Sequence, residues 1–507
     1  MLIIQITPIW KSKQPDTTFL TKDKIKKQRE ITMSKENTIC LMNDSFPPLI
    51  DGVANAVTNY AAFYQKNFGR AYVAVPYHPD AEDEKFPFPV IRYRSFDTTE
   101  LLNYRAGYPF SVSAMKDLKE VNCDLIHSHC PFMSTVLARI LRRHVDVPLV
   151  FTYHTKFDID IAKTIKSGIL QKQAVSLIVD NINACDEVWT VSEGAGENLR
   201  SLGYKGDYIV MQNGVDIPKG RVSQEDIQKA AKGADLPEGV PVYLFVGRMM
   251  WYKGLKIVFD GLRRLKEDHK PFRLVLIGKG KDKEEMEKYT EEAGIRDQCI
   301  FTGAIYDRDV LRAWYCRADL FLFSSSYDTN GLVVREAAAC GLASALIKDS
   351  CAAEGIMDGV NGFLCEENAE GMYSLLKRTQ EHPEVMAQVG QHAMNTLYLS
   401  WEDSVARAAQ RYEIVKEKYA RKEYVSQKRF SDEVITVTGN AMNGIETLRN
   451  LQQSSLESIE NLKSFSNIPK EGIETLKNLQ KSSMEKLAAM NEWQKTYLEK
   501  LAENLRK

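Results

Sequence analysis

The sequence predicts an α/β protein: two doubly wound, Rossmann-like domains facing a cleft, with an α-helical region appended at the C-terminal end. Three observations carry this. From Thr38 onward, short apolar runs alternate with amphipathic helical stretches, the pattern of βαβ units and a parallel sheet. The alternation breaks after Gly214-Val215-Asp216-Ile217-Pro218 and restarts at Val242, as expected when 507 residues are too many for one ordinary core. Beyond about residue 421 the Gly and Pro punctuation thins and an internal repeat appears.

Taken in order, residues 1–36 form a polar, Lys-rich extension. Disorder and a start upstream of the functional one at Met33 are both open readings of it. In residues 37–220 the expected strands are Thr38–Met42, Arg70–Val75, Leu125–His127, Leu149–Thr152, Glu187–Val191 and Tyr208–Met211, with helices at Val53–Phe68, Ser134–His144 and Gly196–Leu202. In residues 221–395 the strands are Val242–Val246, Arg273–Ile277, Cys299–Thr302 and Leu320–Phe323, with helices starting near Gly254, Lys283 and Asp309. Asp309 reads as the N-cap of the last of these. Residues 396–420 contain a long amphipathic helix, Trp401–Tyr419. In residues 421–507, Gly444–Glu457 (GIETLRNLQQSSLE) recurs as Gly472–Glu485 (GIETLKNLQKSSME). The offset is 28 residues, four heptads, so both copies present an apolar stripe on one side. A coiled coil or helical hairpin for self-association or docking and a solvated, loosely ordered helical tail are both open.

Bulk properties narrow the function. A net charge of −1 gives no general pull toward nucleic acid, and no nucleic-acid motif or long basic run occurs. The nine cysteines form no CxxC pair and most lie in apolar runs, which fits reduced, buried thiols of a cytoplasm. No apolar stretch reaches the roughly 18 residues of a membrane span. No GxSxG or P-loop pattern supports a hydrolase or kinase. Asp158-Ile-Asp160 and Asp307-Arg-Asp309 match DxD, a pattern short enough to arise by chance, and no metal site is expected.

The most informative segment is Ser324–Gly341, SSSYDTNGLVVREAAACG. It sets Asp328 and Glu336 eight positions apart, around the Asn330-Gly331 turn and a helix start near Leu332 and Val333. A strand, a tight turn and a helix start aim N–H groups at one point, which suits phosphate. The flanking carboxylates suit sugar hydroxyls. On this segment alone, a strand–loop–helix with merely solvated acids is an equal reading.

Several motifs in order turn the balance: FPPLIDGV (Phe46–Val53), IHSHCPF (Ile126–Phe132), FTYHTKF (Phe151–Phe157), NGVD (Asn213–Asp216), VGRMMWYKG (Val246–Gly254), LIGKGKD (Leu276–Asp282), the Asp328–Glu336 segment and SWED (Ser400–Asp403). With them, residues 37–420 resemble the retaining glycosyltransferases of family 4 (glycosyl transferases group 1), which have the GT-B fold. The resemblance implies a catalytic set of His129, Asp328, Arg248 and Lys253. It implies donor binding by Gly52, His154, Gly247, Arg248, Lys253, Gly278, Gly280, Asp328, Asn330, Gly331, Leu332, Val333 and Glu336. Arg248 and Lys253 would meet the diphosphate, where fixed cations stabilise developing charge. Gly278 and Gly280 would let the backbone approach the nucleotide. Gly52 would do the same beside the phosphate and acceptor. Glu336 would hold the ribose and Asp328 the sugar hydroxyls. Two positions depart from the family: Asp328 stands where Glu is usual, and Asn330 where Phe is usual. Both bear on the choice of donor sugar.

No nucleophile is assigned and no cofactor or metal is implied beyond a UDP-sugar donor. The first domain, notably VPLVFTYHTKFD, is similar to bacterial enzymes that glucosylate diacylglycerol. The implied activity is transfer of a hexose such as glucose to a membrane glycerolipid at the inner face of the cell membrane. A cell-surface glycan acceptor, and an inactive scaffold working through its C-terminal helices, stay open. Peripheral membrane contact has local support: residues 139–172 hold seven Lys/Arg against three Asp, and Ile159–Leu177 could form an amphipathic helix. Residues 36–219 as a whole hold 18 Lys/Arg against 22 Asp/Glu, which opposes general attraction to anionic lipid.

Overall fold

The computed structural model describes residues 37–49, 51–99, 104–158, 161 and 167–424. The N-terminal extension and the 28-residue repeat lie outside the described residues. The first half runs β1 (Thr38–Met42), α1 (Gly52–Asn67), β2 (Arg70–Pro76), β3 (Val90–Tyr93), a short hairpin β4 (Ser95–Phe96) and β5 (Ala106–Gly107), and α2 (Val112–Glu120). It continues with β6 (Leu125–Ser128), α3 (Met133–Val145), β7 (Leu149–Tyr153), α4 (Gly168–Asn183), β8 (Glu187–Thr190), α5 (Glu193–Ser201) and β9 (Tyr208–Val210). Seven of these strands form one parallel sheet in the order β3-β2-β1-β6-β7-β8-β9.

The second half runs α6 (Gln224–Ala230), β10 (Val242–Val246), α7 (Leu255–Glu267), β11 (Arg273–Ile277), α8 (Lys283–Glu292), β12 (Cys299–Gly303), α9 (Arg308–Arg317) and β13 (Leu320–Phe323). Then come α10 (Leu332–Ala339), β14 (Ser344–Ile347), β15 (Phe363–Cys365), α11 (Ala369–Glu381) and α12 (Pro383–Thr396). Its parallel sheet has the order β12-β11-β10-β13-β14-β15. All five residues of β10 are buried, because helices cover both faces of such a sheet. The sequence reading omitted β3, β14 and β15, which are edge or near-edge strands of three or four residues. It also placed a cap wrongly. Asp307, not Asp309, caps α9, accepting from the Asp309 and Val310 amides at 2.9 and 3.1 Å, while Asp309 sits in the first turn.

Strand order reverses between β1 and β6 in one sheet and between β10 and β13 in the other. Loops leaving adjacent strands there diverge to opposite faces and leave a crevice beyond the C-terminal strand ends. The chain returns to the first half through α13 (Trp401–Ala420). Ser400 caps it, accepting from the Asp403 amide at 3.0 Å. Trp401, Val405, Ala408, Tyr412 and Val415 of α13 share one apolar cluster with Leu41 of β1 and Val57, Tyr60 and Tyr64 of α1. Arg411 grips Glu187 with two bonds of 2.7 and 2.6 Å.

Beneath the crevice lies a histidine stack. His127 reaches Tyr412 Oη through Nδ1 and Thr152 Oγ1 through Nε2, both at 2.7 Å. The His127 and His129 rings lie 4.0 Å apart, and His129 Nδ1 meets His154 Nε2 at 2.9 Å. Burial, reinforced by the neighbouring rings, holds His127 and His129 well below the ordinary histidine value. Burial alone brings His154 down to about 3. Asp44 opposes this trend. Burial pushes its carboxyl up to about 6, even though it accepts from the Ser134 amide and hydroxyl, both at 2.9 Å.

The stack predicts acid lability. Below the ordinary histidine value of 6.5 the unfolded chain takes up three protons that the folded rings refuse. The unfolded state then binds more protons, so stability falls as pH falls. Asp44 and Glu336, whose carboxyls are raised, cancel part of this. The unfolding free energy from urea titration should therefore drop between pH 6.5 and 4.5, by about 1–3 kcal/mol per pH unit, and the urea midpoint should fall with it. A midpoint independent of pH over that range would rule out a neutral stack.

Candidate active site

The second-domain wall is built by the loop after β10, the loop after β13 and the start of α10. After β10 the chain makes one turn of 3-10 helix, Trp251–Lys253, and then Gly254 takes a left-handed conformation at φ 76°. A β-carbon at Gly254 would lie 2.1 Å from the Ser324 carbonyl oxygen, so only glycine lets the two loops close on each other. This closure delivers Lys253 to Asp328. The Nζ atom stands 2.6 and 2.8 Å from the two carboxylate oxygens, and Lys253 is only 8% exposed. Arg248 is exposed, its guanidinium 5.8 Å from the Tyr252 ring centre.

Gly331, at φ 56°, precedes α10 and offers no side-chain cap. The first-turn amides at Leu332 and Val333 have no intrahelical acceptor by position, and they are the donors an anion would take. Glu336 lies one turn inside α10, buried. It accepts from Arg308 Nη2 at 3.0 Å and from Tyr315 Oη at 2.9 Å. Burial raises its carboxyl, with the Arg308 charge pulling the other way.

Gly278 and Gly280 are each crowded by a neighbouring loop. A β-carbon at Gly278 would fall 1.9 Å from the Gly247 carbonyl oxygen, and one at Gly280 would fall 2.1 Å from that of Met249. The close approach is between the loops after β10 and β11. These glycines therefore set the position of the Arg248 loop through its backbone. Gly52 is different: nothing lies within 4 Å of its missing side chain. It opens α1, whose cap Asp51 accepts from the Val53 and Ala54 amides at 2.8 and 2.7 Å.

First-domain residues meet this wall at several points. Thr329 donates to the His154 carbonyl at 2.6 Å, and Ser192 donates to the Thr329 carbonyl at 2.5 Å. His129, on the β6 end, stands behind His154. The Glu354 carboxylate accepts from the Glu193 and Gly194 amides, at 2.8 and 2.5 Å, at the N-terminus of α5. Asn55 of α1 donates to Asp216 at 3.2 Å, and Asp216 also pairs with Arg308 at 3.2 Å.

The structure thus brings Lys253, Asp328, Asn330, His154 and His129 into one contiguous seam, and it places Glu336 one helical turn deeper. The sequence reading missed Arg308, Thr329 and Glu354. Arg308 was seen only as the middle of a DxD match, and nothing local marks it as the partner of a carboxylate 28 positions away. Asp158 lies near Asn198 at 3.4 Å, and Asp160 is outside the described residues. Among the described residues no cluster of three His, Cys, Asp or Glu side chains is arranged for a metal ion. No described helix is long and apolar enough to cross a membrane.

The comparisons agree with this geometry. Residues 50–219 match the model of Glycosyltransferase Family 4, and residues 226–395 that of Glycosyl transferases group 1. An alpha-monoglucosyldiacylglycerol synthase of Streptococcus pneumoniae is 22% identical over 60% of this chain and 69% of its own length. One from Acholeplasma laidlawii is 20% identical over 70% of this chain and 91% of its own. The crystal structure of Anabaena HepE in complex with UDP, 19% identical, has a TM-score of 0.60 and covers 74% of this chain and 99% of HepE. HepE is also known in complex with UDP-glucose. With two doubly wound halves of this topology and both family models matched in order, the chain belongs to the group 1 glycosyl transferases, the glycosyltransferases of family 4, and has the GT-B fold.

Proposed function

We propose that this glycosyltransferase moves a hexose, glucose foremost, from a UDP-sugar to a hydroxyl of a membrane glycerolipid such as diacylglycerol, with retention at the anomeric carbon. The observation that carries the donor reading is the Lys253–Asp328 pair set beside the uncapped start of α10. An arriving diphosphate meets Arg248, Lys253 and the Leu332 and Val333 amides. As it draws on Lys253, Asp328 is released toward the sugar hydroxyls. Glu336, held by Arg308 and Tyr315, offers its carboxylate to the ribose.

His129 and His154 are neutral, so neither is set up as a charged acid. In the proposed step the C1–oxygen bond to the diphosphate breaks. The acceptor oxygen bonds C1 from the same face, and its proton passes to the departing phosphate oxygen. Such a step asks the protein for positioning and charge stabilisation. The proposal assigns that stabilisation to the cations and amides, without a metal ion.

The acceptor reading is supported by the two diacylglycerol-directed relatives and by the exposed face of α4. Ile169 and Leu177 project there together with Lys172, and Arg143 of α3 is exposed as well. Part of the expected membrane helix is corrected by the structure: Ile161 is buried and belongs to the core of the first half. Residues 159, 160 and 162–166 lie outside the described residues. A cell-surface glycan is the competing acceptor. Self-association through residues 421–507 remains part of this proposal.

Turnover tests the donor reading. Lys253→Ala and Glu336→Ala should each lower kcat/KM at least about tenfold, the lower end of losing one charge-stabilising contact. Near-normal turnover in either variant removes that residue's role. UDP release from UDP-glucose should rise when diacylglycerol vesicles are added. Release indifferent to vesicles points to the glycan. A chain ending at residue 424 should keep donor turnover while changing its oligomeric state or its recovery with vesicles. A tail whose removal changes neither has no part in assembly or docking.

A further inference from the structure

Asn330 is the one side chain among the described residues whose two terminal polar atoms are both buried without a hydrogen-bond partner. The residue is 9% exposed. A buried amide in that state bears its full desolvation penalty, and a leucine of the same branching and heavy-atom count would avoid it. Unsatisfied buried groups of this kind need an explanation. None comes from the surrounding fold, which is otherwise well tied at this point. Thr329 is bonded in both directions, to His154 and from Ser192, and Gly331 begins α10. Asn330 sits between them, two positions from Asp328. Across the same seam His129 Nε2 is also buried and unpartnered, while its Nδ1 is taken by His154. The two residues are linked by contacts: His129 Nδ1 meets His154 Nε2 at 2.9 Å, and the His154 carbonyl accepts from Thr329, the residue before Asn330, at 2.6 Å.

We propose that Asn330 is a specificity-determining residue whose amide reads the hydroxyls of a neutral donor sugar, with Nδ2 donating and Oδ1 accepting. This rests on the nucleotide-sugar reading given above. An amide matches a hydroxyl because each both donates and accepts. A carboxylate or sulfonate in place of the hydroxyl that the amide reads offers acceptors only. It would leave Oδ1 unpaired and bring a second negative charge beside Asp328. The amide therefore selects for an uncharged hexose, and Asn330 has a role that an apolar residue at this position lacks. The unmet bonds are the cost of that selectivity, carried by the free enzyme until the sugar arrives.

The test compares wild type with Asn330→Leu in the full chain. UDP affinity is measured by calorimetry and thermal unfolding without ligand. Turnover is measured with UDP-glucose, UDP-galactose, their monodeoxy analogues and UDP-glucuronic acid. The Leu variant should bind UDP within about twofold of wild type and unfold at the same or a higher temperature. Its kcat/KM with the preferred hexose should fall about 10–100-fold, the range for leaving a sugar hydroxyl unpaired. With one deoxy donor, the one lacking the hydroxyl that Asn330 reads, the two proteins should converge. Wild type should discriminate against UDP-glucuronic acid. Unchanged turnover in the variant, an equal loss with every donor, or a lowered unfolding temperature would each overturn the proposal. Wild type that binds no UDP overturns the donor reading, and this proposal with it. UDP binding by wild type together with equal turnover of the two proteins on every donor overturns this proposal alone.

Discussion

A lysine ammonium that is almost wholly withdrawn from water has to be paired, and the architecture around Lys253 follows from that requirement. Its partner, Asp328, stands on a different loop, 75 positions on. To bring the two together, β10 and β13 must be neighbours, their following loops must touch, and one of those loops must turn through a left-handed glycine against the other's backbone. The switch point of the second sheet supplies the first condition, and Gly254 supplies the rest. A buried pair of this kind adds little net stability, because desolvation offsets attraction. It does hold a cation and an anion in readiness, beside amides that face an incoming phosphate.

At the histidines the crevice is polar but uncharged. Three imidazoles are stacked where water is excluded, which keeps them neutral and makes them hydrogen-bonding groups. Glu336, deeper still, is bonded by an arginine and a tyrosine. Each half therefore presents a different character. The second half offers fixed charge for a diphosphate, and the first half offers neutral donors and acceptors. Asp44 completes the first half in another way. Phe132 provides no side-chain cap for α3, and Asp44 does so from the loop after β1 by accepting from Ser134.

Much of this was legible in the sequence. Strands such as Val242–Val246 and Leu320–Phe323 are unbroken apolar runs, and parallel strands buried on both faces must be so. The loops carrying Lys253, Asp328 and His129 follow such runs directly, so their place at strand ends could be read off. The crossing helix announced itself by Ser400 and Asp403 before an amphipathic stripe. What stayed hidden depends on distance in sequence. Glu336 was visible as a candidate, but its partner Arg308 was not, since a pairing across two helices leaves no local period. Gly278 and Gly280 were visible as glycines, yet whether a ligand or a neighbouring loop crowds them is decided by the register of β10 against β11.

Glu354 lies in the second half and accepts from two amides at the head of α5 in the first, and this has a mechanical consequence. Separating the halves strips a full negative charge from the positive pole of a helix and leaves both to be rehydrated. The closed arrangement thus carries its own restoring force, independent of any substrate. That force weakens as ions crowd the gap. Any parting of the halves works against it, so added salt lowers the cost of opening this contact.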